Sequence, residues 1–214
     1  MFVPNLKLHA TNLSNPACCV PFAAGIICFS ISPITNNIYL LLGLESEQKV
    51  WCDFGGRLND GESVEGAASR EFCEESLCVI DMNTHVSSFE DYVISIKQMI
   101  RIENYYMRIE ILQSTSDGID HTHVYFLKQI PWQPKCKESF LNLRTQILNK
   151  QFLNHPSIDS NQEIDVHWLE KSKIKWWSMD RLKDVIKNTG KYKQHRFKKS
   201  FLPALNVVLK ILTV

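Results

Sequence analysis

The chain has 214 residues, 44% of them hydrophobic and 22% charged, close to an average globular composition, which excludes a disordered, collagen-like or coiled-coil protein. Its length predicts a single domain over 1–214 that carries an insertion and an appendage. The longest apolar stretches, Phe22–Ile31, Ile38–Leu44 and Phe201–Val214, fall short of the roughly 18 residues that a membrane span needs. With no basic, then apolar, leader at the N-terminus, the expectations are no membrane partner and a cytoplasmic location.

Taken in chain order, Ala23–Ile31 and Ile38–Leu44 are rich in β-branched and aromatic residues and flank a Ser-Pro-Ile-Thr-Asn-Asn turn, so they predict a hairpin. Trp51–Phe54 runs into Gly55 and Gly56, and Ser63 is placed to cap a helix reaching to about Leu77. Tyr92–Ile96, Tyr105–Leu112 and Thr122–Ile130 have strand-like composition. Between Lys137 and Leu153, Phe140, Leu143, Ile147 and Phe152 recur near helical spacing, which predicts a helical insertion followed by a loop over His155–Gln162. Two short strands, Ile164–Trp168 and Ile174–Trp177, and a helix over Met179–Lys187 come next. The basic C-terminal segment, about 190–214, closes on a helix whose apolar stripe is Phe197, Phe201, Leu205, Val208, Leu209 and Leu212, with Pro203 tolerated in its first turn.

Seven cysteines at positions 18, 19, 28, 52, 73, 78 and 136 show no Cys-x-x-Cys spacing, which predicts reduced and mostly buried thiols. The net charge of +1 hides a segregation: Glu45–Glu90 holds eleven acidic residues against three basic ones, and Lys171–Ser200 eleven basic against two acidic. The first block suits cations and the second a polyanion.

Chemistry concentrates between Gly55 and Glu75. Glu71, Glu74 and Glu75 stand at i, i+3 and i+4, so one helical turn carries three mutually repelling carboxylates, whose natural relief is a hard divalent cation. Arg70 is i, i+4 from Glu74 and can hold its carboxylate in place. Glycines at 55 and 56 let backbone approach a metal or phosphate.

The run Gly56-x5-Glu62-x7-Arg70-Glu71-x2-Glu74-Glu75 resembles the signature of the Nudix hydrolase family. It departs at Leu77, where the family has glycine, and at Cys78, where it has a larger aliphatic residue. The resemblance covers about Ala23 to Ile186. It implies an α/β/α sandwich around a mixed β-sheet, and Mg2+- or Mn2+-dependent cleavage of a nucleoside diphosphate linked to another moiety, a phosphoanhydride small molecule being the substrate. Carried over, Glu71, Glu74 and Glu75 would bind the metal with the Gly55 carbonyl, Arg70 would orient the carboxylates, and Glu62 would brace the loop. The general base would be Glu163 or Glu71. The alternative is a catalytically silent module of the same fold that binds a nucleotide or RNA.

Four further features each carry two readings. Trp176 and Trp177 could stack a base or belong to core and rim. His121 and His123 could be a ligand pair or a plain strand edge. The Lys191–Lys199 run is a solvated surface or an RNA contact, capped RNA included. Arg57, beside Gly56, is a loop cation or a phosphate ligand.

Overall fold

The computed structural model describes residues 21–80, 88–101, 106–114, 120–149, 166–188 and 196–213. Seven strands form one sheet: β1 (Pro21–Ile31), β2 (Ile38–Glu45), β3 (Trp51–Cys52), β4 (Phe54–Arg57), β5 (Tyr106–Ser114), β6 (Asp120–Gln129) and β7 (Lys171–Ser178). β1 runs parallel to β6, and the other pairings are antiparallel, so the sheet is mixed.

β1 and β2 pair as a hairpin only over Cys28–Ile31 and Ile38–Leu41. Beyond that they take different partners, β3 pairing with Gly43 and Leu44 of β2, and β4 with Ala23–Ile26 of β1. The single residue between β3 and β4 is Asp53, so the chain changes strand partner at a carboxylate that is only 8% exposed.

Both faces of the sheet are covered, which explains why the predicted hairpin reads as nearly continuous apolar sequence. Successive side chains point to opposite faces: Ala24, Ile26 and Cys28 of β1 enter one core, Ile27 and Phe29 the other. The first core is roofed by α1 (Val64–Ser76), α2 (Phe89–Arg101) and α3 (Cys136–Leu148); the second by α4 (Met179–Lys187) and α5 (Leu202–Ile211). The architecture is therefore an α/β/α sandwich with a mixed sheet. No helix among the described residues is long and apolar enough to cross a membrane.

Two predicted elements are corrected. Tyr92–Ile96 belongs to helix α2 rather than a strand. Its β-type residues matter less than the spacing of Tyr92, Ile96 and Ile100, which buries one stripe against the first core. The predicted strand Ile164–Trp168 is, in its described part, a 3-10 turn over Val166–Leu169, and the strand proper starts at Lys171. Phe197 lies ahead of the C-terminal helix, pairing with Trp51 through an isolated bridge. The insertion is helical over Cys136–Leu148 and buries Phe140, Leu143 and Ile147. Of the cysteines, 28, 52, 73 and 136 are buried and Cys78 is half-buried. Cys18 and Cys19 lie outside the described residues.

Candidate active site

Helix α1 begins at Ser63, whose side chain accepts from the Gly66 N–H at 3.1 Å, satisfying one otherwise unpaired donor of the first turn. It ends in a pair of reversed hydrogen bonds, Cys78 N–H to the Cys73 carbonyl and Leu77 N–H to the Glu74 carbonyl, with Leu77 at φ 56° and Cys78 at φ 51°. This is a Schellman closure, a position that glycine usually fills.

Between these ends Arg70 gathers the carboxylates. Its Nε and one terminal nitrogen donate to the two oxygens of Glu62, each at 2.9 Å. The other terminal nitrogen donates to Glu71 at 2.8 Å and Glu74 at 3.2 Å. A further bond at 3.1 Å reaches the Arg57 carbonyl at the end of β4, and the Asn59 N–H donates to Glu62 at 2.9 Å. One guanidinium thus ties the glycine strand, the loop and the helix together. Gly56 makes room for this, since a Cβ there would collide with the Glu71 carboxylate.

Glu75 is oriented differently from its helix mates. It is 3% exposed, accepts from the Gly55 N–H at 2.8 Å, and pairs with the Lys171 ammonium at 2.9 Å. Lys171 also donates to the Cys52 sulfur at 3.0 Å. Burial works against the lysine's charge, but Glu75 and Cys52 outweigh it and hold the group charged well above its ordinary range. Sequence reasoning missed Lys171, because a strand starting Lys-Ser-Lys-Ile-Lys carries no mark of which lysine turns inward.

The electrostatics of the turn are unbalanced. Glu62, Glu71, Glu74 and Glu75 face two cations, Arg70 and Lys171. Burial raises Glu71, and it pushes Glu74 up to about 7 despite Arg70, with Glu71 adding to the rise. Glu71 and Glu74 thus share a single guanidinium with Glu62 and offer hard oxygen donors, which fits a divalent cation in kind and charge. In placement, no three His, Cys, Asp or Glu residues are grouped to hold a metal among the described residues, and both oxygens of Glu75 are taken by Gly55 and Lys171. His167 and Glu170, paired at 2.6 Å on the 3-10 turn side, also act on Glu71.

Other expected residues fall elsewhere. Arg57 is exposed at the end of β4, its guanidinium 5.0 Å from the Phe22 ring centroid. Trp176 is half-buried, donating to the Gln133 carbonyl at 2.9 Å with its ring 5.2 Å from Trp132, whereas Trp177 is core, edge-on to Trp51. His121 stacks on Phe22 at 4.4 Å. Glu163 and Lys191–Lys193 lie outside the described residues.

The fold and this turn define a class: an α/β/α sandwich in which an arginine-bound carboxylate helix faces a two-glycine strand. No family model and no curated protein matches the chain. Among solved structures it is similar to the Nudix domain of Shewanella oneidensis NrtR complexed with ADP ribose, at 14% identity over 94% of each chain and a TM-score of 0.48. It is also similar to the M. smegmatis Nudix hydrolase RenU, at 11% identity over 90% of this chain and 86% of that one, TM-score 0.47. A C. elegans Ap4A hydrolase follows at 17% identity over 78% and 85%, TM-score 0.41. The fold class stands on the chain's own sheet and two cores.

Proposed function

We propose that the chain is a Nudix-type pyrophosphohydrolase acting on a nucleoside diphosphate linked to another moiety, with Mg2+ or Mn2+ as cofactor. The observation that supports it most is the charge deficit at Glu71 and Glu74, two half-buried carboxylates sharing one arginine with Glu62. Those two would hold the ion, joined by Glu75 and the Gly55 carbonyl. A bound ion supplies Lewis acidity toward the phosphoryl oxygens and favours ionisation of a hydrolytic water. Arg70 fixes the carboxylate rotamers, and Arg57 offers a cation for a phosphate. Glu71 or Glu163 would take the proton from the attacking water, and Trp176 would border the substrate. Arg70 acts by position alone, since its donors are committed to Glu62, Glu71, Glu74 and a backbone carbonyl.

One observation favours the silent nucleotide-binding module: Glu75 is occupied on both oxygens. A single experiment separates the readings. The chain is incubated with Mg2+ or Mn2+ and a panel of nucleoside triphosphates, ADP-ribose, a nucleotide sugar, a dinucleoside polyphosphate and capped RNA, and products are resolved by mass. Cleavage at a phosphoanhydride that falls at least about 100-fold in Glu74→Gln supports the hydrolase, by the scale of lost charge stabilisation. Binding of a panel member without turnover at either metal supports the module.

A further inference from the structure

On the face of β4 opposite α1 lies a pocket of about 220 Å³, its lining including Phe22, Asp53, Arg57, His123, Tyr125 and Lys198. It is smaller than the roughly 300–1,000 Å³ of a drug-sized site, so it admits one ring system and not a whole nucleotide. Three of its walls are aromatic. The Asp53 carboxylate lies where a side chain on Gly25 or Gly55 would stand, and a Cβ at either would collide with its Oδ2. Those two glycines are register partners in β1 and β4, so the space for the carboxylate is made from both strands.

The surrounding charges leave Asp53 over. Lys198 is paired with Glu45 at 2.7 Å and Lys171 with Glu75 at 2.9 Å. Both ammonium groups act on Asp53 at longer range, but among the described residues no other residue's hydrogen bond reaches its carboxylate. Its own backbone N–H is the one hydrogen-bond donor it has among the described residues, so the carboxylate keeps acceptor capacity for a donor entering the pocket that it lines.

We propose that this pocket binds a nucleobase through the Asp53 carboxylate, and that the base is one with two adjacent N–H donors, as on the Watson–Crick edge of guanine. An ionised carboxylate only accepts, and its two oxygens match two parallel donors. Adenine and cytosine place an acceptor beside their amino group and would set a lone pair against the second oxygen. Phe22, His123 and Tyr125 supply faces for the ring. The pocket also adjoins the carboxylate turn: Gly55 faces Asp53 and the next residue, Gly56, faces Glu71, while Arg57 lines the pocket and its carbonyl accepts from Arg70.

This deepens the hydrolase reading by naming the base of its substrate, and it is tested apart from cleavage. The full chain is titrated calorimetrically with GMP and with IMP, which lacks only the 2-amino group, in EDTA so that nothing turns over. GMP should bind at least about 10-fold tighter than IMP, the scale of one hydrogen bond to a charged acceptor. Asp53→Asn should abolish that preference, since an amide presents a donor to one of the two N–H groups. No saturable GMP binding, equal affinity for GMP and IMP, or unchanged GMP affinity in Asp53→Asn overturns the proposal. The GMP–IMP comparison needs only wild-type protein. Base preference without cleavage of any nucleotide sinks the hydrolase reading alone, and cleavage without base preference sinks this one alone.

Discussion

Lys171 reaches Glu75 across the bare backbone of Gly43, where a Cβ would come within 2.8 Å of the lysine Cδ. At 1% and 3% side-chain exposure neither partner has water to fall back on, so the pair is a mutual necessity more than a source of stability. Lys171→Met alone should therefore destabilise by about 3–5 kcal/mol, whereas Lys171→Met with Glu75→Gln should recover most of that. Urea unfolding of the two variants decides it, and additive losses would show that the two groups do not act as a pair. His123 supplies a pH handle. Burial, then the Lys198 and His121 charges, lower its pKa in the fold, so the unfolded chain binds the proton more readily. Stability is full above pH 6.5 and falls as the pH drops below it toward the folded value. His123→Gln should flatten the melting temperature against pH between 5 and 7, and an unchanged slope would assign the acid sensitivity to other groups.

Helix α1 ends on a leucine where the signature that it resembles has glycine, and the magnitudes explain why this is tolerated. A non-glycine residue at positive φ costs about 1–2 kcal/mol. Leu77 is fully buried in the first core, and removing such a side chain costs about 2–5 kcal/mol. Leu77→Gly should thus destabilise by about 1–3 kcal/mol although glycine is the usual residue at such a helix end. A gain in thermal stability would mean that the backbone effect wins. Strand β4 teaches the complementary lesson. Its four residues pair with β1, present Gly56 to Glu71 on one face, and present Gly55 to Asp53 on the other. The sequence pattern made both glycines legible as a place of close approach, but not that they serve opposite faces.

Across the whole molecule the basic block is less available than its composition implies. Lys171 and Lys198 are committed to Glu75 and Glu45, and Lys175 lies 4.5 Å from the Trp177 ring centroid. Lys173, Arg196 and the three lysines Lys183, Lys187 and Lys199 are exposed and remain for a polyanion. If RNA is a partner, replacing these three with Gln should flatten the dependence of log K on log salt by about 0.7 for each phosphate that is no longer neutralised, up to about 2 in all. A fluorescence-anisotropy titration of a single-stranded RNA across salt checks this, and an unchanged slope in the triple variant would mean that RNA does not engage these lysines.

The hairpin, the capped helix and the Arg70–Glu74 pairing are legible in the sequence because each depends on neighbours within a few residues: two β-branched apolar runs around a turn, a Ser63 hydroxyl near Gly66, a spacing of one helical turn. Helix α2 is not, because a short β-rich window masks its longer period. What no local pattern could supply is any contact closed by a return of the chain. Lys171 meets Glu75 because β7 pairs with β2, and Asp53 is left over because Lys198 arrives at Glu45 from the far end of the chain. Local physics thus determined which residues could carry charge and chemistry. Tertiary structure decided which of those charges are neutralised, because burial makes a charge's energy depend on partners that only the folded sheet brings within reach.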